Sequence, residues 1–388
     1  MLSEAGFQIQ PVNRAQFGVG SISKLGKHVK SVGKQRALIV TDPGLVKAGV
    51  VTQVEEALSA EGIEARVFSE VRPNPTTEDV TLGRDAAREF GDAAVVPVGG
   101  GSVLDAAKAI ALWAPNGGEL ADYVPGCKPK HPGHPVIAVP TTSGTGAETN
   151  MFAVITDPER GRKILIGHLS VQPKASVLDP ALTVGCPAAV TATCGMDVLT
   201  HAIEALTSNR PNPFSEAVAL RAIAMAGHHL PIAFEDGANI EARSQLMFAS
   251  HLAGIAFASA GLGVCHAMGH PISARLNAAH GQTLATLLPE VMRFNCLVSE
   301  AKYAQVAIAL GVAEPELDNH DNAQLGINAI EHLRAHVRTD ISLADLGVSA
   351  SLLPTLVEDA FADPLMITTP RRPEAQDVMR IYETCMAW

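Results

Sequence analysis

Apolar residues fall in short continuous runs over the first half of the chain and at helical spacing over the second. ALIVTD (37–42), ARVFSEV (65–71), AAVVPVGGG (93–101) and VIAVPTT (136–142) are each bounded by Gly, Pro or Asp. Between them, VVTQVEEALSAEG and TEDVTLGRDAAREFG repeat their apolar positions at helical period. Strands that are apolar on both faces and alternate with helices predict a parallel sheet covered on both sides. AVITD (153–157) and RKILIGH (162–168) predict an added antiparallel pair. After about Pro180 the strand pattern stops, and Ala-, Leu- and Ile-rich helical segments run on, broken by Pro211, Pro213, Pro231, Pro271, Pro289 and Pro354. A single core stops growing near ~250–300 residues. The expectation is therefore two domains, an α/β domain over 1–183 and an all-α domain over 184–388.

Composition narrows the function. The chain is 47% hydrophobic and 18% charged, with 29 basic and 40 acidic residues and a net charge of −11. That fits a well-filled globular enzyme and argues against a nucleic-acid or anionic-membrane surface. The start MLSEAGFQIQ carries Glu4 and lacks a basic segment followed by an apolar one, so no secretory signal is read. The longest apolar stretch, Leu252 to Cys265, is too short for a bilayer and is expected as a buried helix leading into His266. Six scattered cysteines without a CxxC predict reduced thiols and a cytoplasmic protein.

Two blocks carry metal chemistry. GMDVLTHAIEA places Asp197 and His201 four apart, and GVCHAMGHPISARLNAAHG places His266 and His270 four apart with His280 ten residues later. Residues four apart on a helix share one face. Apolar helices rarely bury Asp and His without compensation. One carboxylate and several imidazoles with no thiolate suit a borderline divalent ion that does chemistry. The remaining histidines read as surface or packing residues.

Two glycine loops carry the second chemistry. AAVVPVGGGSVLDAAK reads as strand, glycine turn and helix, which offers free N–H groups and a positive dipole end to a pyrophosphate. Ser102 and Asp105 form an S-x-x-D pattern that predicts a cap for that helix. PTTSGTGAE (140–148) follows the next strand and supplies Thr141, Thr142 and Thr145. Asp42 ends the first strand, as either a ribose acceptor that repels a 2′-phosphate or a plain D-P-G turn residue. An active site in a cleft between the two domains is expected.

Together VRPNPT, VGGGSVLDAAK, PTTSGTGAE with AVITD, GMDVLTHAIEA and HAMGHPISARLNAAHG resemble the iron-containing (group III) alcohol dehydrogenase family, which includes lactaldehyde reductases and 1,3-propanediol dehydrogenases. The resemblance implies a Rossmann-like N-terminal domain and a helical C-terminal domain, the architecture shared with dehydroquinate synthase. It makes Asp197, His201, His266 and His280 the metal ligands and puts His270 beside the substrate as the proton-transfer group. It assigns Asp42, Asn74, Gly100, Gly101, Ser102, Asp105, Thr141, Thr142, Thr145 and Lys163 to the cofactor, with Asp42 favouring NAD. The implied reaction is hydride transfer between a small alcohol, held as alkoxide by Fe(II) or Zn(II), and nicotinamide, with aldehyde reduction as its reverse. The alternative is a metal- and NAD-using lyase of the dehydroquinate synthase type. No nucleic-acid or membrane partner is expected, and a homodimer or larger homo-oligomer is. Ala147 stands where many members have Ser. Leu284 replaces a common Asn, which predicts a more apolar pocket wall.

Overall fold

The computed structural model describes residues 7, 9, 12–159, 161–210 and 212–387. Glu4, most of the segment around it, and Pro211 lie outside the described residues. The chain forms two compact units, Val12–Cys186 and Pro187 onward.

In the first unit, β1 (Arg14–Phe17), β2 (Arg36–Val40), β3 (Glu64–Phe68), β4 (Ala94–Gly99), β5 (Ile137–Pro140) and β8 (Ala175–Leu178) form one sheet in the order β1-β8-β5-β4-β2-β3. Every neighbouring pair in it is parallel. The helices are α1 (Leu25–Ser31), α2 (Pro43–Lys47), α3 (Val50–Ser59), α4 (Thr77–Phe90) and α5 (Gly101–Trp113). Alternate strand residues face opposite ways, and each set finds an apolar partner. Ala37, Ile39, Val96 and Ile137 cluster with Leu25 and Val29 of α1 and Val54 and Leu58 of α3. Leu38, Val40 and Val95 cluster with Val80 and Ala87 of α4 and Ile110 and Leu112 of α5. Thr76 starts α4 with a capping box, its hydroxyl accepting from Asp79 N–H while the Asp79 carboxylate accepts from Thr76 N–H. The expected antiparallel pair is β6 (Phe152–Asp157) with β7 (Arg162–Gly167), paired from Phe152↔Gly167 to Asp157↔Arg162. Two strands carry no such sequence signature. β8 is four residues long, and β1 is exposed along its whole length and pairs across more than 150 residues with β8.

In the second unit the elements are α6 (Ala188–Thr207), α7 (Pro213–Glu235), α8 (Ile240–Ala260), α9 (Val264–Leu276), α10 (His280–Leu310), α11 (Asn319–His336), α12 (Leu353–Ala362) and α13 (Ala375–Met386). Leu199 and Ile203, Ile223 and Leu230, Leu246, Leu287 and Val291, and Ile327 and Ile330 meet in one core. α7 is long and apolar enough to cross a membrane by length and composition, yet it contributes Ile223, Ala226 and Leu230 to that core.

Two expectations need correction here. Pro231, Pro271 and Pro289 do not break helices but lie inside α7, α9 and α10. An internal proline costs about 3 kcal/mol through a lost hydrogen bond and a clash, which buried flanks such as Leu230 and Ile272 offset. The stretch Leu252 to Cys265 is not one helix. Gly261, at φ +85°, ends α8, and α9 restarts at Val264 after a 108° bend. That bend is what gives His266 a helix of its own.

Candidate metal centre and nucleotide loops

Helical periodicity assembles the acidic and imidazole groups. α6 carries Asp197 and His201 on one face, with Asp197 Oδ1 3.4 Å from His201 Nδ1. α9 brings His266 Nε2 to 3.8 Å from the same oxygen. The His201 and His266 rings stack at 4.6 Å. One candidate ligand atom from each of Asp197, His201 and His266 lies within 4.8 Å of the other two, and all three residues are buried. His280 is the first residue of α10, its ring 5.5 Å from that of His266 and 5.4 Å from that of His270. It stands beside the trio and outside its 4.8 Å span. The next residue explains how α10 starts there. A Cβ on Gly281 would sit 2.2 Å from the Thr193 carbonyl oxygen of α6, so only glycine permits the approach.

His266 Nε2 is buried without a hydrogen-bond partner among the described residues. An orphaned polar atom in a close-packed interior is costly unless something absent from the chain compensates it. The neighbouring donors are a carboxylate oxygen and imidazole nitrogens, with no thiolate, and this set fits a divalent ion. Electrostatics agree. Burial pushes the His266 imidazole down, but the charge and hydrogen bond of Glu204, with Asp197 and Asp363 behind it, outweigh burial and hold its pKa above the ordinary value. The same negative field attracts a cation. Cys265, beside it, is wholly buried and burial pushes its thiol well above the usual range, so it offers no nucleophile.

Two residues that the motif spacing did not single out complete this region. Glu204 accepts from His266 Nδ1 at 2.5 Å. It lies three residues beyond His201, so helical spacing could have found it. Asp363 Oδ2 lies 2.7 Å from Nδ1 of the half-buried His270, and its Oδ1 accepts from Leu365 N–H at 2.8 Å. Ninety-three residues separate Asp363 from His270, and no spacing rule reaches that far. Leu284 departs from expectation. It is fully buried in the helical core against Gly269 and serves packing there.

In the sheet unit, α5 begins directly after β4, with Gly100 as N-cap residue and no side-chain cap. The expected S-x-x-D cap does not form, because Ser102 and Asp105 already lie past the cap position. Ser102 Oγ accepts instead from Asn74 N–H at 3.3 Å, and Asp105 Oδ2 from Val154 N–H at 3.0 Å. A helix end that no side chain covers is what anion binding requires. The two glycine loops pack on each other. A Cβ on Gly101 would lie 2.5 Å from Thr145 Cγ2, and one on Gly100 3.1 Å from Thr142 Oγ1. Thr141 N–H donates to Gly99 O at 3.0 Å. Asn74 holds the rare φ of +51°, and its Oδ1 accepts from Lys163 Nζ at 3.4 Å. Asp42 caps α2 by accepting from Leu45 N–H at 3.1 Å, which is the turn role.

Lys108 sits in no spacing pattern that would mark its role. Its ammonium is 1% exposed and donates to the carbonyls of Ala147 and Phe152, with Asp105 Oδ1 at 3.1 Å. It ties α5 to the second loop and to β6.

The iron-containing alcohol dehydrogenase family model matches residues 12–180, and the C-terminal model of the Fe-containing alcohol dehydrogenase family matches residues 191–386. The chain belongs to the iron-containing alcohol dehydrogenase family. As a member it is 36% identical over 373 residues to the choline dehydrogenase of Bacillus subtilis, covering 95% of this chain and 92% of that one. It superposes on the crystal structure of a 1,3-propanediol oxidoreductase with TM-score 0.94 at 36% identity, covering 98% and 100% of the two chains. The sulfoacetaldehyde reductase from Bifidobacterium kashiwanohense, solved in complex with NAD+, matches with TM-score 0.88 at 26% identity over 99% of each chain. The parallel sheet unit and the helical unit are the fold of these relatives, and the lyase alternative is not favoured.

Proposed function

We propose that this protein interconverts a small alcohol and its aldehyde by hydride exchange with NAD. In this reading Asp197, His201, His266 and His280 hold a divalent metal, Fe(II) or Zn(II), and His270 handles the proton. The observation that carries it is the buried trio of Asp197, His201 and His266, whose ligand atoms face one another within 4.8 Å.

A bound divalent ion supplies Lewis-acid charge that favours the ionised form of a substrate hydroxyl. Everything else falls to the chain. His270, with Nδ1 against Asp363, keeps Nε2 as the atom that accepts or returns the proton. The uncapped start of α5 and the loops around Gly100, Gly101, Ser102, Thr141, Thr142 and Thr145 cradle the pyrophosphate, while Asn74, Asp105 and Lys163 brace them. Asp42 accepts from the adenosine ribose and repels a 2′-phosphate. The hydride chemistry belongs to the cofactor, and the protein contributes orientation and electrostatics. Relatives named for choline and for 1,3-propanediol at 36% identity leave the alcohol itself to be measured. We assign the protein to the cytoplasm, as a homodimer or larger, with no nucleic-acid or membrane partner.

The test is NADH formation at 340 nm over a panel of small alcohols, using protein purified anaerobically, stripped with chelator and reloaded with Fe(II) or Zn(II). Activity that vanishes on stripping and returns with one metal supports the reading and names the metal. Activity indifferent to stripping removes the metal from it.

A further inference from the structure

Glu204 continues the face of α6 that carries Asp197 and His201, and it is 4% exposed. Its carboxylate accepts three hydrogen bonds, all from the start of α9. Oε2 takes Gly263 N–H at 3.0 Å and His266 Nδ1 at 2.5 Å, and Oε1 takes Cys265 N–H at 2.7 Å. Two of these donors are backbone N–H groups, of the N-cap residue Gly263 and of Cys265 in the first turn of α9, so the carboxylate sits at the positive end of that helix. The third fixes a ring. An imidazole whose Nδ1–H is held by a carboxylate presents a bare lone pair at Nε2, and Nε2 of His266 is the buried atom 3.8 Å from Asp197 Oδ1.

We propose that Glu204 is a positioning residue for the metal centre, selecting the His266 tautomer that can ligate and locking the ligand helix α9 to the ligand helix α6. The inference rests on the metal reading above and adds the residue that prepares the site. A carboxylate is required, because all three groups facing Glu204 are donors. In a Glu204→Gln protein the amide NH2 must face either Cys265 N–H or both Gly263 N–H and His266 Nδ1. With that NH2 toward His266, the favoured tautomer puts its proton on Nε2, where the ion would bind. Outer partners of ligating histidines of this kind are worth about 10- to 100-fold in metal affinity.

The competing role is a plain cap for α9, and the two roles separate in one experiment. Full-length wild type and Glu204→Gln are stripped, their melting temperatures are measured metal-free, and Zn(II) affinity is read by competition with a chromophoric chelator. The expected result is Zn(II) binding weakened about 10- to 100-fold in Glu204→Gln. A variant that melts lower when stripped but binds Zn(II) like wild type reduces Glu204 to a cap and overturns the proposal. Failure of wild type itself to bind metal shows in its own arm and removes the metal reading instead. Should Glu204→Gln not fold, 15N NMR of Zn(II)-loaded wild type decides. His266 protonated at Nδ1 and coordinated through Nε2 upholds the proposal, and coordination through Nδ1 overturns it.

Discussion

The two regions to which the proposed chemistry is assigned are built on opposite plans. In the helical unit, spacings of three and four residues put Asp197, His201 and Glu204 on one face of α6, while α9 offers His266 and His270. Three of these groups, Asp197, His201 and His266, then crowd to within 4.8 Å. In the sheet unit the loop residues are already tied to the protein. Asn74 meets Lys163 and Ser102, Asp105 meets Val154 and Lys108, and Gly100 and Gly101 receive Thr142 and Thr145. The first plan leaves like-minded donors facing each other and so invites an ion. The second satisfies its own side chains and leaves backbone N–H groups at the start of α5 for a ligand. A metal site is thus a matter of converging side chains, and a phosphate site a matter of stiffened backbone.

Removing one donor should break the first plan outright. His280→Ala should lose both bound metal and turnover, checked by metal analysis and NADH formation. This substitution is the sharpest because His280 stands outside the tight trio. A fully active, metal-free His280→Ala protein would refute the site.

The largest effect expected in the sheet unit is on stability. Lys108→Met strands the Ala147 and Phe152 carbonyls and the partly buried Asp105 carboxylate. Removing one partner of a buried, hydrogen-bonded ion pair costs about 3–5 kcal/mol. The melting temperature should fall by roughly 10 °C, since ~1 kcal/mol moves a unit of this size by ~2–4 °C. An unchanged melting temperature would mean the second loop holds itself. A smaller effect follows at Gly101→Ala, whose Cβ would meet Thr145 Cγ2 at 2.5 Å. Overpacking of this sort costs about 1–3 kcal/mol. It should raise the KM for NAD and leave metal content unchanged. A coupled loss of metal would erase the contrast between the two regions.

Legibility from the sequence follows the same division. The strands from Ala37 to Thr142, the β6–β7 pair and the four-residue spacings Asp197–His201 and His266–His270 are local patterns, and period 2 or period 3.6 turns local spacing directly into geometry. β1 escaped because a four-residue exposed strand has no apolar run, and its partner β8 lies far along the chain. Asp363 and Lys108 escaped because their contacts span 93 residues and about 40. Pro231, Pro271 and Pro289 do not end their helices because tertiary burial overrides their local cost. The cap at Ser102 and Asp105 does not form because α5 starts two residues earlier than the pattern suggests.

Asp42 gives the smallest predicted effect, and it tests whether one residue can serve both as a helix cap and in cofactor choice. Its carboxylate caps α2 through Leu45 N–H, a role the sequence already allowed. The proposed second role is to repel the 2′-phosphate of NADP. Asp42→Gly separates them, because glycine at an N-cap loses only a few tenths of a kcal/mol against aspartate. The cap should therefore barely register in the melting temperature. Removing the negative charge should improve kcat/KM for NADP by about tenfold, equivalent to about 1.4 kcal/mol of recovered binding, with little change for NAD. Steady-state kinetics with both cofactors at matched ionic strength decides the point. An unchanged NADP/NAD ratio would leave Asp42 a turn residue alone, and the cofactor preference would then have to arise elsewhere in the sheet unit.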